Sequence, residues 1–164
     1  MVITRSMPSP IGDLLLVGDG ERLHGLYMTN HRRAPALVGA TVDDAAFTDS
    51  VHQLDEWFAG RRTTFSVATE PRGTVFQQRV WDVLLEIPFG NTMTYGEVAT
   101  RAGVPGSARA VGHAVGRNPL SIVVPCHRVI GAKGVLTGYA GGLDNKRWLL
   151  QHERTAAART GNMM

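Results

Sequence analysis

The chain changes character at Pro71, and that change decides what it can fold into. Before it, short apolar runs alternate with glycine and aspartate turns; after it, apolar residues recur at helical spacing behind threonine capping signatures. Ile11 to Val17, the turn signal Asp19-Gly20 and Leu23 to Met28 predict a hairpin. Within Asp43 to Ala59, Phe47, Val51, Leu54 and Phe58 share one face, which predicts an amphipathic helix closed by Gly60; Phe65 to Thr69 fits one more strand. Thr74-Val-Phe-Gln77 opens a helix whose apolar face is Phe76, Val80, Val83, Leu84 and Ile87, and Pro88 stops it. Thr94-Tyr-Gly-Glu97 opens a short helix to about Ala102. After Gly103-Val-Pro-Gly106, Ser107 caps another that runs to Arg117, ahead of Asn118-Pro119. The expected division is an α/β N-terminal domain over 1–71 and a mainly helical domain over 72–164, with a helix-turn-helix candidate at about 94–117.

Composition narrows the function classes. Charged residues of both signs, 19% of the chain and scattered along it, suit a soluble globular protein. No apolar run approaches the roughly 20 residues of a membrane span, and no basic-then-apolar leader opens the chain, so the expected location is the cytoplasm. A single cysteine allows neither an internal disulfide nor a zinc site with paired cysteine ligands, and no metal is expected. Gly18-Asp-Gly20 lacks the third glycine of a dinucleotide-binding turn and no phosphate loop is present, so no cofactor is expected. A sequence pI of about 9.5 suits a protein that meets phosphates. The pairs Arg32-Arg33 and Arg61-Arg62 read as solvated loop charges.

On the helix from Ala108 to Arg117, Val111 and Val115 form the apolar side, and Arg109, Gly112, His113 and Gly116 fall opposite. Two glycines there cost about 1 kcal/mol each relative to alanine, which points to close approach of something outside. Composition leaves DNA and a neighbouring helix equally open as that partner. Arg109 sits in the first turn, where the helix dipole disfavours a cation, so its role lies beyond the helix. Small residues around one arginine suit a shallow, sequence-tolerant contact such as the minor groove.

Ser121-Ile-Val-Val124 is a β-branched run that predicts a buried strand, and Pro125 ends its pairing, placing Cys126 at the strand exit. An isolated cysteine is more often a buried hydrophobe than a reagent. His127 and Arg128 supply a base and a cation, although in an extended strand Cys126 and His127 face opposite ways, and contact needs a turn or an intervening water. On the helix opened by Asp144, Glu153 shares a face with Lys146, Leu149 and Leu150, and a core-facing carboxylate needs a partner such as a histidine.

Together these pieces resemble the O6-alkylguanine-DNA alkyltransferases, also called methylated-DNA-protein-cysteine methyltransferases. The resemblance rests on Tyr95-Gly-Glu97, Arg109-Ala-Val-Gly112, Asn118-Pro119, Pro125-Cys-His-Arg128, Gly138-Tyr-Ala-Gly-Gly-Leu143 and Lys146-Arg-Trp-Leu-Leu-Gln-His-Glu153, in that order over about residues 72 to 154. The N-terminal part matches more loosely, through Ser9-Pro-Ile-Gly12 and its strand-rich pattern.

The resemblance implies a ribonuclease-H-like N-terminal domain and a helical domain that binds the minor groove of double-stranded DNA and flips out O6-alkylguanine. It implies one irreversible transfer per molecule, from O6 of guanine and also O4 of thymine, by a monomer that can bind DNA cooperatively. Cys126 would accept the alkyl group, His127 would be its base through a water, and Glu153 would orient His127. Arg109 would fill the gap in the base stack, with Ala108, Ala110 and Gly112 around it against DNA. Tyr95 would turn the nucleotide and donate to N3; Asn118 would brace the turn behind Cys126; Tyr139, Lys146 and Val129 would belong to the guanine pocket. Ala140 departs from a position where many relatives carry a hydroxyl or glycine. The zinc site of some relatives is not expected, nor an added domain for transcriptional control, and the tail from Thr155 to Met164 carries no motif. A cysteine hydrolase would leave the helix-turn-helix unexplained. A lesion-recognition module without repair would lack Cys126, and a sequence-specific repressor would need more readers on the helix.

Overall fold

The first hairpin forms where a carboxylate organises its turn: Asp19 Oδ1 accepts the Glu21 and Arg22 amides at 2.9 and 2.8 Å, between β2 (Leu14–Gly18) and β3 (Leu23–Met28). A side chain at Gly18 would run into the carbonyl of Arg22, so the bulge there admits only glycine. The computed structural model describes residues 1–162, with side chains through Arg159, and Met163 and Met164 of the expected tail lie outside the described residues. β1 (Ile3–Met7) pairs antiparallel with β2, and β4 (Thr41–Val42) lies parallel to β1, giving the order β3-β2-β1-β4. The amphipathic helix α1 covers Thr48–Phe58 and buries Leu54 and Trp57. It starts five residues later than its predicted Asp43, because Asp43 to Phe47 form turns that end with Phe47 in a left-handed conformation, φ 55°.

The expected strand from Phe65 to Thr69 reduces to one bridge, Thr69 to Leu23, on the outer edge of β3. The same edge takes a second bridge, Leu26 to Leu120. The Leu26 amide donates to the Pro119 carbonyl at 2.8 Å, and the Ser121 amide to the Leu26 carbonyl at 3.2 Å. Sheet and helical region are thus stitched together just ahead of Cys126.

Both threonine capping boxes form, on α2 (Val75–Leu84) and α3 (Tyr95–Arg101), each with reciprocal bonds between the threonine and the residue three positions on. α4 covers Ala108–Gly116; Ser107 is its N-cap residue, but the Ser107 side chain makes no capping bond. Gly103 and Gly106, at φ 80° and 83°, turn the chain between α3 and α4. The Trp81 indole donates to the Ala114 carbonyl at 2.9 Å and ties α2 to α4. β5 (Met93–Thr94) and β6 (Val129–Ile130) pair in parallel, and α5 (Leu143–Asn162) closes the chain. The architecture is a ribonuclease-like α/β part followed by a helical part with a helix-turn-helix, joined through one apolar core that runs from Leu16 and Leu26 through Trp57 to Trp81, Val111 and Leu149. Among the described residues, no helix is long and apolar enough to cross a membrane.

Candidate active site

The cysteine does not leave a strand. Ser121 to Val123 form a turn, with Ile122 held at φ 72°, a conformation that strains a β-branched residue by about 1–3 kcal/mol. Its β-branched composition suggested pairing, but the chain doubles back here, and the Val124 amide bonds to the Leu120 carbonyl at 2.9 Å. The Asn118 amide group locks this reversal, donating to the Val124 carbonyl at 2.8 Å while its oxygen accepts the Leu120 amide at 2.9 Å. Cys126, His127 and Arg128 then form one 3-10 turn, all three buried.

His127 is fully enclosed, and its Nε2 lies 2.9 Å from Glu153 Oε2 on α5. Arg128 clasps the same carboxylate through Nε at 2.9 and 3.0 Å and Nη2 at 2.6 Å, and its Nη1 donates to the Ile87 carbonyl. The cation of Arg128 therefore serves Glu153 and not the thiol, a correction to its sequence-based role. Burial works to raise the Glu153 carboxyl, but hydrogen bonds and charges from His127 and Arg128 prevail and hold it at about 2. Burial lowers His127 against the pull of Glu153, so the ring is neutral at pH 7. A neutral ring donating Nε2–H to a carboxylate presents Nδ1 as a lone pair, and among the described residues Nδ1 has no protein partner.

The Cys126 thiol donates to the Tyr139 hydroxyl at 3.7 Å. Burial pushes the thiol up, against hydrogen bonds from Asn118 and Tyr139 and the charge of Lys146. The cation nearest in effect is therefore Lys146, whose fully buried Nζ has no hydrogen-bond partner among the described residues and lies 5.8 Å from the Tyr139 ring centre. Burial lowers the Lys146 pKa while the nearby sulfur raises it.

Cys126 borders a cavity of about 170 Å³, smaller than the roughly 300–1,000 Å³ of drug-sized pockets. Tyr95, Gly112, Asn118 and Tyr139 line it. Tyr95 Oη accepts from Thr137 Oγ1 at 3.1 Å. Among the described residues, no other backbone lies within 4 Å of where a side chain at Gly112 or Gly116 would begin. A side chain at Gly112 would meet only the Tyr95 ring at 3.6 Å, and one at Gly116 would meet nothing within 4 Å, so the glycines keep the cavity open.

Residues 2–71 match the family model "6-O-methylguanine DNA methyltransferase, ribonuclease-like domain", and residues 75–155 match "6-O-methylguanine DNA methyltransferase, DNA binding domain". A methylated-DNA–protein-cysteine methyltransferase of Mycobacterium leprae is 52% identical over 94% of this chain and 93% of its own length. The chain belongs to the 6-O-methylguanine DNA methyltransferase family. A Methanosarcina acetivorans methyltransferase of the same name is 48% identical over 88% of this chain and 94% of its own. The crystal structure of the Mycobacterium tuberculosis O6-methylguanine methyltransferase superposes with a TM-score of 0.90 at 52% identity, covering 95% of this chain and 94% of that one. A structure of the M. tuberculosis protein in complex with DNA gives 0.89 at 51% identity, covering 94% of each chain.

Within this methyltransferase fold the remaining expected site residues are dispersed. Arg109 and Ala110 are exposed on the first turn of α4, with Ala108 half-buried beside them. Val129 is fully buried in β6 and paired with Met93, and neither it nor Lys146 borders the cavity. His31 and Arg32 do border it, carried from the loop after β3. Arg32 is exposed in its loop, as its sequence predicts, and borders the cavity as well. Nothing local in Asn30-His-Arg-Arg33 signals this placement, which arises only when the sheet docks against the helical part.

Proposed function

We propose that this chain repairs DNA directly, by one irreversible transfer of an alkyl group from O6 of guanine, or O4 of thymine, in a flipped-out base to Cys126. The observation that carries the reading is the oriented base beside the sulfur: a buried thiol, followed by a neutral histidine with a free Nδ1 and with Nε2 fixed on an ionised carboxylate. His127 takes the thiol proton through a water, and Glu153 stabilises the imidazolium that results. As sulfur ionises, the bond to Tyr139 reverses and the phenol becomes the donor. The S–C bond forms as the C–O6 bond breaks, and the electron pair goes to the purine, where Tyr95 donates at N3 and Tyr139 and Lys146 lie at hand to offset the charge. The thioether has no second nucleophile to clear it, so one molecule repairs one base.

The helix-turn-helix supplies the base. Arg109, on an exposed turn with small neighbours Ala108, Ala110 and Gly112, suits insertion into the stack from the minor groove, and the opened face of α4 leaves a way to the cavity. The chain works as a monomer, able to bind DNA cooperatively, in the cytoplasm, where a lone thiol stays reduced. We place its division at residues 71 and 72. Arg109→Ala is expected to slow repair of O6-methylguanine in duplex DNA by roughly tenfold or more, since flipping costs a few kcal/mol, and to slow reaction with a free-base substrate much less. Equal slowing on both substrates, measured by methyl transfer to protein, removes the stack-filling role. With excess damaged duplex, transfer should stop at one methyl per protein.

A further inference from the structure

Arg32 is a charged side chain at the cavity that borders Cys126, and the reaction as described gives it nothing to do. No carboxylate is among the residues lining that cavity, and among the described residues the guanidinium has no ion-pair or hydrogen-bond partner. It stands at the mouth, exposed, with an Nη2 atom 3.8 Å from the point where a side chain at Gly138 would begin. Its mount is rigid. The Arg32 amide donates to the Ala140 carbonyl at 3.0 Å, tying the loop after β3 to the segment that carries Tyr139. The His31 amide donates to the Met28 carbonyl at 3.1 Å, His31 Nδ1 accepts the Arg33 amide at 2.9 Å, and the His31 ring meets the edge of Tyr27 with centres 5.2 Å apart. His31 itself stays neutral, lowered by burial and by the two arginine charges.

We propose that Arg32 is a substrate-binding residue, its guanidinium holding a phosphate of the flipped nucleotide at the cavity mouth. The inference rests on the alkyl-transfer reading above. A nucleotide entering base-first leaves its sugar and phosphates at the rim, and the planar fork of arginine matches two phosphate oxygens at once. The α4 residues that line the cavity, Gly112, Val115 and Gly116, offer no cation of their own. The ribonuclease-like part thereby contributes the phosphate-holding residue to a cavity lined mostly by the helical part.

The test compares methylation of Cys126 by O6-methyl-2′-deoxyguanosine and by its 3′,5′-bisphosphate, which have no stack to leave. The wild-type protein is expected to prefer the bisphosphate, and Arg32→Ala to reduce that preference by roughly 10- to 100-fold, the range of hydrogen bonds to a charged group. Arg32→Lys should restore part of it and Arg33→Ala should keep it. An Arg32→Ala protein with the full wild-type preference overturns the assignment. So does a wild-type protein that treats both substrates alike, or an Arg33→Ala protein that loses as much as Arg32→Ala. Wild-type methylation by damaged duplex is measured alongside: if it is absent, the alkyl-transfer reading falls; if present, only Arg32 is at issue.

Discussion

Glu153→Gln is expected to destabilise the fold by about 3–5 kcal/mol, lowering Tm by roughly 10 °C, and to impair alkyl transfer in the protein that remains folded. The carboxylate is 1% exposed and bonds to His127 and to three contacts of Arg128, which is itself buried. Removing the negative charge strands the Arg128 cation in the interior, where only the Ile87 carbonyl and the face of Phe89 are left among its described contacts. Thermal unfolding of Glu153→Gln, Arg128→Ala and the double variant should give strongly sub-additive losses, since the two side chains act as one unit. Additive losses contradict the coupling. Stability against pH carries the same signature. The folded carboxyl, at about 2, lies below its ordinary 4.5, so the contribution of Glu153 is whole above 4.5 and disappears as pH falls toward 2. His127, lowered from 6.5, adds a loss of the same sign that begins as pH falls through 6.5. Urea denaturation across this range should show a shallower acid limb between 4.5 and 2 in Glu153→Gln.

His127→Gln is expected to slow methyl transfer by about 10²–10⁴-fold, the usual contribution of a positioned base. The pH profile distinguishes this from a packing defect. With His127 neutral and its Nδ1 free, the wild-type rate should hold level through neutrality and fall only on the acid side of 6.5. Without the base, the reaction depends on spontaneous ionisation of a thiol that burial has raised, so the variant's rate should climb with pH into the alkaline range. A slow variant that keeps the level profile contradicts the proton transfer to His127.

What could be read from the residues divides by range of interaction. The capping boxes at Thr74 and Thr94 involve partners three positions apart, and both form as spelled. The core-facing side of α5 was legible because Lys146, Leu149, Leu150 and Glu153 share a helical face, and all four are buried. Ser121 to Val124 misled because β-branched residues signal a strand only where a partner strand is available; here Asn118 holds the segment as a turn. β4 is two exposed residues with no alternation to detect, and β1 supplies its pairing. Arg128 was expected beside the thiol and instead clasps Glu153; which cation faces Glu153 and which acts on the sulfur depends on how α5 crosses the 3-10 turn. Arg32 was invisible, since its place at the cavity depends wholly on the sheet packing against the helices.

The central claim is that Cys126 accepts the alkyl group, and intact-protein mass after incubation with a duplex containing O6-methylguanine tests it most directly. The expected result is a gain equal to one methyl replacing one hydrogen, located on the peptide that contains Cys126, and no gain in Cys126→Ser. An unchanged mass, or a methyl found on another residue, would contradict it.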